Sequence, residues 1–563
     1  MVIMAPKRTV TTDYFADDDR DNYSITTKAS TITMDEPTKH DDASEHSPLL
    51  ATSPAKPGSY IELPPRKSRI SYHSLLLVLI AMVILSSASD QIIQSPQMRI
   101  FESIICYLHY EQADPSKILL GRATVGPGAI GGVAEADCKI DEVQGELAML
   151  NGYQQFFNGF PSLLLAIPLG WAADRYGRKP FLAVGLVSFA ARASWVQLVT
   201  WFWQAFDIRL TWLSTLPTLV SGGDVVISGL FFVLLSDIVP EAERASTFLR
   251  VGACSILASV AMPPFAAMLM QTNPWIPCLI GLVLNFIPMF LITLVPETLN
   301  YRKHLSPYDS FPPTTSEETQ PGAPDLADNN PPISTNYAAR ITGQIVSATD
   351  FLTADWRVPA LILPFFGHML MFNATQLLLQ YMSKRYHITF SKATLLNTIF
   401  NGVKILGLFL ILPYISKVIM RIFKLSDQRK DLYLARGTQV LLAVGYLFIG
   451  LSPTVPSAVL SMTLAALGMG TYLFIRSFLT SLVPSHHIAR IYMIITLLET
   501  LGGMSGGALM AGLFKGGLKL GGGWIGLPFL FVGLVMLCST ALLCIVRLRP
   551  GEDRKDDGDE QEM

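Results

Sequence analysis

The stretch GWAADRYGRKP (Gly170–Pro180) crowds Asp174, Arg175, Arg178 and Lys179 into a short turn with a long apolar run on either side. A run of about 20 apolar residues is the length that crosses the hydrocarbon of a bilayer as a helix. In lipid, a helix or a closed barrel is needed to satisfy the backbone hydrogen bonds. A charged turn between two such runs therefore lies at a membrane surface. The whole chain agrees: half of its 563 residues are hydrophobic and 15% are charged, where a soluble domain carries roughly a quarter. The net charge of -2 resides in tails and loops, and no basic patch outside the loops points to a nucleic-acid partner.

Working outward from this turn, apolar runs recur near 74–93, 147–172, 181–202, 213–239, 246–269 and 275–294. A second set lies near 359–381, 393–415, 434–451, 457–483, 489–514 and 524–546. Residues 1–70 are rich in Asp, Ser, Thr and Pro without an apolar period and read as a disordered cytoplasmic tail. The break at 299–356 holds PPTTSEETQPGAPDLADNNPP and reads as a linker. The expectation is an all-α membrane protein with twelve transmembrane helices, six in 71–298 and six in 357–547, followed by an acidic tail at 548–563. Lys and Arg in the short loops put both termini inside. Cys106 and Cys138 then face outward, where a disulfide between them is chemically reasonable. The other four cysteines sit in apolar runs as small hydrophobes. SDIVPEAERAS at the end of the fourth run and TSLVPSHHIAR at the end of the tenth suggest that the two sets are repeats.

The charges of the opening turn are misplaced for their own helices. Asp174 sits at a negative helix C-terminus and Arg178 precedes a positive N-terminus, so both need outside partners. Asp237, at the inner end of the fourth run, suits Arg178. GWAADRYGRKP resembles the signature turn of the major facilitator superfamily: glycine, three residues, Asp-Arg, an aromatic, Gly-Arg and a basic residue. Its place between runs two and three of twelve matches as well. RIFESIICYLHY (99–110), DCKIDEVQGELA (137–148), LLSDIVPEAERAS (234–246) and VPETLN (295–300) resemble fungal members in particular. The resemblance implies two six-helix pseudo-repeat bundles, transport by alternating access, and a conformational latch of Gly170, Asp174, Arg175, Gly177, Arg178 and Asp237 that also engages the start of helix eleven. Helix five reads ILASVAMPPFAAM, without the glycines of the drug-exporter pattern, so direction of transport is not inherited.

Ionisable and amide groups at membrane depth mark candidate substrate or proton paths. These are Asp90 and Gln94 in the first run, Gln154 and Asn158 in the second, and Asp224 in the fourth. The seventh run offers Asn373 and Gln376, the eighth Asn397, Asn401 and Lys404, and the eleventh Glu499. Asn151, Gln155 and Gln380 extend these stripes, and helix-to-helix bonding is an equal reading of any of them. Arg192 is expected to pair with Asp224, His368 to pack as a neutral imidazole, and Arg476 to snorkel. Lys404, as the central cation, suggests a small organic anion moved with protons. The alternative is a transporter-fold receptor that binds and signals without flux.

GGGWIG (521–526) follows no strand and is a loop, and no phosphate-binding P-loop is present. His486 and His487 stand apart from other ligands, so no metal or cofactor is expected, and an enzyme is excluded for want of histidine clusters or paired carboxylates. EHSPLL resembles an acidic dileucine signal, making Glu45, Leu49 and Leu50 a candidate site for a sorting adaptor and leaving the plasma and vacuolar membranes as alternatives.

Overall fold

The computed structural model describes residues 72–297, 355–423, 426–483 and 485–548. The expectations for both tails, the linker and the sorting signal fall outside these residues. Ser68–Met563 forms one unit. Among the described residues, twelve helices are long and apolar enough to cross a bilayer: α1 (His73–Ala113), α2 (Asp141–Tyr176), α3 (Arg178–Trp201), α4 (Ile208–Ile238), α5 (Ser246–Thr272), α6 (Trp275–Leu294), α7 (Arg357–Arg385), α8 (Phe390–Phe423), α9 (Gln428–Leu451), α10 (Val455–Leu482), α11 (Ile491–Leu520) and α12 (Gly522–Ile545). The all-α, six-plus-six fold expected from the apolar runs is therefore observed.

The first helix departs from expectation. Its apolar run ends near Ile93, yet the helix runs unbroken from Tyr72 to Ala113, 42 residues. That is about 63 Å at the α-helical rise, twice the roughly 30 Å of hydrocarbon. Beyond the lipid it finds a protein core: Ile100, Phe101, Ile104, Ile105 and Tyr107 are buried, in one cluster with Val143, Leu147 and Trp275. Cys106, on this extension, and Cys138, before α2, form a disulfide with Cα atoms 5.3 Å apart.

In the N-terminal half α1 packs on α5 and α6; in the C-terminal half α7 packs likewise on α11 and α12. The halves meet along α2–α11 and α5–α8, which the repeat exchanges. The α2–α11 crossing depends on glycine, since a Cβ at Gly152 would lie 2.6 Å from both the Gly507 carbonyl oxygen and the Ala511 Cβ.

This crossing fixes the conformational state. From the outer end inward, α2 touches α11 at Gly145 with Lys515, Gly152 with Gly507, and Gly159 with Met504. Further inward on α2, Ile167 is 87% exposed and Trp171 61%. Polar contacts between the halves gather on the outer side: Gln380 Nε2 donates to the Gln144 carbonyl at 2.7 Å, Lys384 Nζ lies 2.6 Å from Asp141 Oδ1, and Ser391 Oγ donates to the Ala267 carbonyl at 2.9 Å. The described polar contacts thus close the outer side, the arrangement of an inward-facing state.

Candidate functional site

The cytoplasmic turn assembles around Gly177. Its φ of +105° ends α2 and starts α3, and a Cβ there would sit 2.8 Å from the Glu297 carboxyl carbon. A side chain is thus excluded both by backbone conformation and by space. The Glu297 carboxylate accepts a hydrogen bond from the Arg178 backbone N–H at 3.1 Å, placing a negative charge at the positive end of α3. Arg178, nearly buried, bonds Asp237 as expected and reaches Asp174 at 3.1 Å. Arg175 lies over the Trp171 and Tyr176 rings at 5.4 and 5.7 Å. A Cβ at Gly170 would meet nothing within 4 Å, and Asp174 is 69% exposed with Arg178 as its described partner.

Beneath the outer seal lies a cavity of about 490 Å³ between the halves. Asp90, Gln94, Gln154, Asn158, Asp224, Asn373 and Gln376 line it, together with Arg192. Helical spacing brings the α2 amides to one wall: Gln154 Nε2 donates to Asn158 Oδ1 at 3.0 Å and to Ser214 Oγ at 3.1 Å. On the facing half Asn373 Nδ2 donates to the Gly503 carbonyl at 3.2 Å. Gln94 donates to Gln376 across the halves. The expected Arg192–Asp224 pair is present at 3.2 Å. Helix α4 is interrupted at Gly222–Gly223, which puts Asp224 in the first turn of the inner segment, where a carboxylate suits the helix dipole. Asp90 forms no salt bridge among the described residues. The wall can hydrogen-bond a polar solute from both halves at once.

Comparison with known proteins decides the family. Residues 148–507 match the model of the Major Facilitator Superfamily. The chain belongs to that superfamily. This transporter is 31% identical to the MFS-type transporter aprT of Aspergillus flavus, over 87% of its own length and 91% of the relative's. It is 28% identical to the MFS efflux pump atnC of Emericella nidulans over 82% and 86%, and 29% to the efflux pump ustT of Aspergillus flavus over 80% and 84%. Among solved structures, the nucleoside transporter NupG has a TM-score of 0.53 at 11% identity, covering 84% of this chain and 100% of that one. The inward-open xylose transporter XylE from E. coli has 0.51 at 12%, covering 86% and 98%. These two share the fold. The protein is an integral, multi-pass membrane transporter of fungal type and not an enzyme.

Four candidate residues of the transporter lie away from the cavity wall. Asn397, Asn401 and Lys404 share a face of α8 and are not among the residues that line it, and the buried Asn397 Oδ1 has no hydrogen-bond partner among the described residues. Glu499 pairs with Arg476 at 2.6 Å, between α11 and α10. Arg476 therefore does not snorkel; its guanidinium is held by that carboxylate and by the Phe365 ring at 5.3 Å. His368 packs 4.7 Å from the Tyr472 ring. Conversely, Gln91, Gln97 and Asn285 line the cavity without having been singled out. Glu297 was also missed, although VPETLN contains it; a carboxylate shortly after a span and able to reach a helix N-terminus was the available signal.

Proposed function

We propose that the transporter exports a small uncharged or cationic organic molecule rich in hydrogen-bonding groups, by alternating access and with proton coupling. The observation that carries this reading is the composition of the cavity wall: amides dominate it, and two carboxylates, Asp90 and Asp224, stand against one cation, Arg192. A net negative wall repels an organic anion. The anion reading depended on Lys404 as the central charge, and Lys404 is not part of that wall. Export is supported by the two relatives named as efflux pumps. Asp90, the cavity carboxylate outside the Arg192–Asp224 pair, is the group we assign to carrying the proton. Nothing in the relatives' names favours a receptor.

The test is flux into everted vesicles with an imposed pH gradient, offered a panel of neutral, cationic and anionic metabolites. Expected are gradient-driven uptake of neutral or cationic compounds, unchanged flux in Lys404→Ala, and loss of gradient dependence in Asp90→Asn. Uptake of an organic acid abolished by Lys404→Ala would restore the anion reading. Whether the exporter serves the plasma or the vacuolar membrane is decided by locating the full chain with and without Leu49→Ala and Leu50→Ala.

A further inference from the structure

Outside the cavity, a cluster of charged groups lies at the outer end, and the transport chemistry above does not use it. Glu102 is fully buried near the top of α1. Its Oε1 accepts from Lys139 Nζ at 2.7 Å and from Gln144 Nε2 at 2.5 Å, and its Oε2 from Arg99 Nη1 at 3.1 Å. Glu135 joins the set, 3.4 Å from both Arg99 and Lys139. Two carboxylates and two cations balance within the N-terminal half. Cys138, next to Lys139 in the chain, is fastened to α1 by the disulfide.

This balanced cluster turns three contacts toward the C-terminal half. The Lys139 carbonyl accepts from Lys384 Nζ at 2.5 Å, and Gln144 holds Gln380 through its carbonyl at 2.7 Å and its side-chain oxygen at 3.1 Å. Glu135 Oε1 accepts from the Phe390 backbone N–H at 2.7 Å, the first amide of α8. Helix-start amides lack partners within their own helix, and a carboxylate there is favoured by the dipole.

We propose that this assembly is the outer gate of the transport cycle. The disulfide-fastened segment, with Glu102 and Glu135, is a preassembled catch on the N-terminal half. Lys384 and the start of α8 are what it holds, and they are released when the protein opens outward. This rests on the alternating-access reading above. The division follows from the charges. Separating Lys384 from Asp141 sends two groups into water, since Asp141 is already half exposed. The N-terminal cluster stays neutral and paired after the separation. Parting Glu102 from Lys139 would instead strand a charge in a dry interior, which is strongly unfavourable. The gate therefore breaks at its C-terminal contacts and stays whole on the other side.

The experiment labels Gln97→Cys, a cavity-wall position beneath the seal, with a membrane-impermeant maleimide applied to the outer face of cells carrying the full chain. Lys384→Met should raise the labelling rate about tenfold, the equivalent of one charge-assisted hydrogen bond lost from one of two states. Glu135→Gln should raise it less, and Lys384→Arg should restore the low rate. Lys117→Met, at the exposed Lys117–Asp137 pair, should not change it. A Lys384→Met rate equal to wild type, or matched by Lys117→Met, overturns the gate. Labelling reads the gate without flux: a responsive gate on a chain that moves no solute would refute transport and leave the gate standing.

Discussion

Substituting valine for Gly152 tests the closed outer face most directly. A Cβ at this position falls 2.6 Å from the Gly507 carbonyl oxygen and from the Ala511 Cβ, both on α11 of the other half. Backbone cannot rotate away as a flexible side chain can, so the halves must separate locally or the inward-facing packing is lost. Overpacking of this kind costs about 1–3 kcal/mol. The cost falls on the state in which α2 and α11 touch at their outer ends, and opening outward relieves it. The outward-facing population should therefore rise roughly 5- to 150-fold. The assay is the labelling of Gln97→Cys from outside, on protein that elutes as a single species from size exclusion. Ala511→Gly in the same chain removes one of the two clashing atoms and should reverse part of the change. Gly512→Ala, where a Cβ meets nothing within 4 Å, should do nothing. The steric reasoning is refuted if Gly152→Val labels at the wild-type rate, or if Gly512→Ala labels as fast as Gly152→Val.

Other outcomes follow from the same geometry. Asp237→Ala leaves the nearly buried Arg178 without its main partner, and losing one member of a buried pair costs about 3–5 kcal/mol; the melting temperature in detergent should fall, and Asp237→Glu should recover part of it. Glu297→Gln keeps an acceptor for the Arg178 amide but removes the charge from the start of α3, a loss of about 0.3–1 kcal/mol, whereas Glu297→Ala removes both and should lower the melting temperature further. Replacing Cys106 and Cys138 together by serine opens a loop with a sequence separation of 32, worth about 3–4 kcal/mol by chain entropy; if the melting temperature is insensitive to this double substitution, the disulfide contributes nothing to holding the outer cap.

Most of the fold could be read from sequence because a lipid-spanning helix announces itself by an uninterrupted apolar run. The extension of α1 past Ile93 could not, since Glu102, Ser103 and their neighbours are buried by protein and carry no lipid-facing pattern. Site residues divide in the same way. Amides at helical spacing on α2 and α7 were recognisable as stripes, and the stripes do face the cavity. The Asn397, Asn401 and Lys404 stripe is as regular, yet which way a helix turns its stripe is set by neighbours far away in sequence. Arg476 and Glu499 are separated by 23 residues and by a helix turn, so their pairing needed the packing of α10 on α11. Glu102, Lys139 and Glu297 lay in stretches that resembled fungal transporters, but their partners came only with the three-dimensional arrangement.

The long first helix also behaves as a lever. Pro96 lies within it, and a helix pivots most readily at proline, where a backbone bond is missing. Cys106 is ten residues further out, about 15 Å along the axis. Tilting the outer arm by about 10° would displace Cys106, and with it the attached Lys139, by about 2.6 Å. The bond Lys384 makes to the Lys139 carbonyl is itself 2.5 Å long. Asp90 and Gln94 are on the inner side of the same pivot, in the cavity wall. A solute that shifts the inner arm there would move the outer end through the helix itself, with no relay of side chains in between.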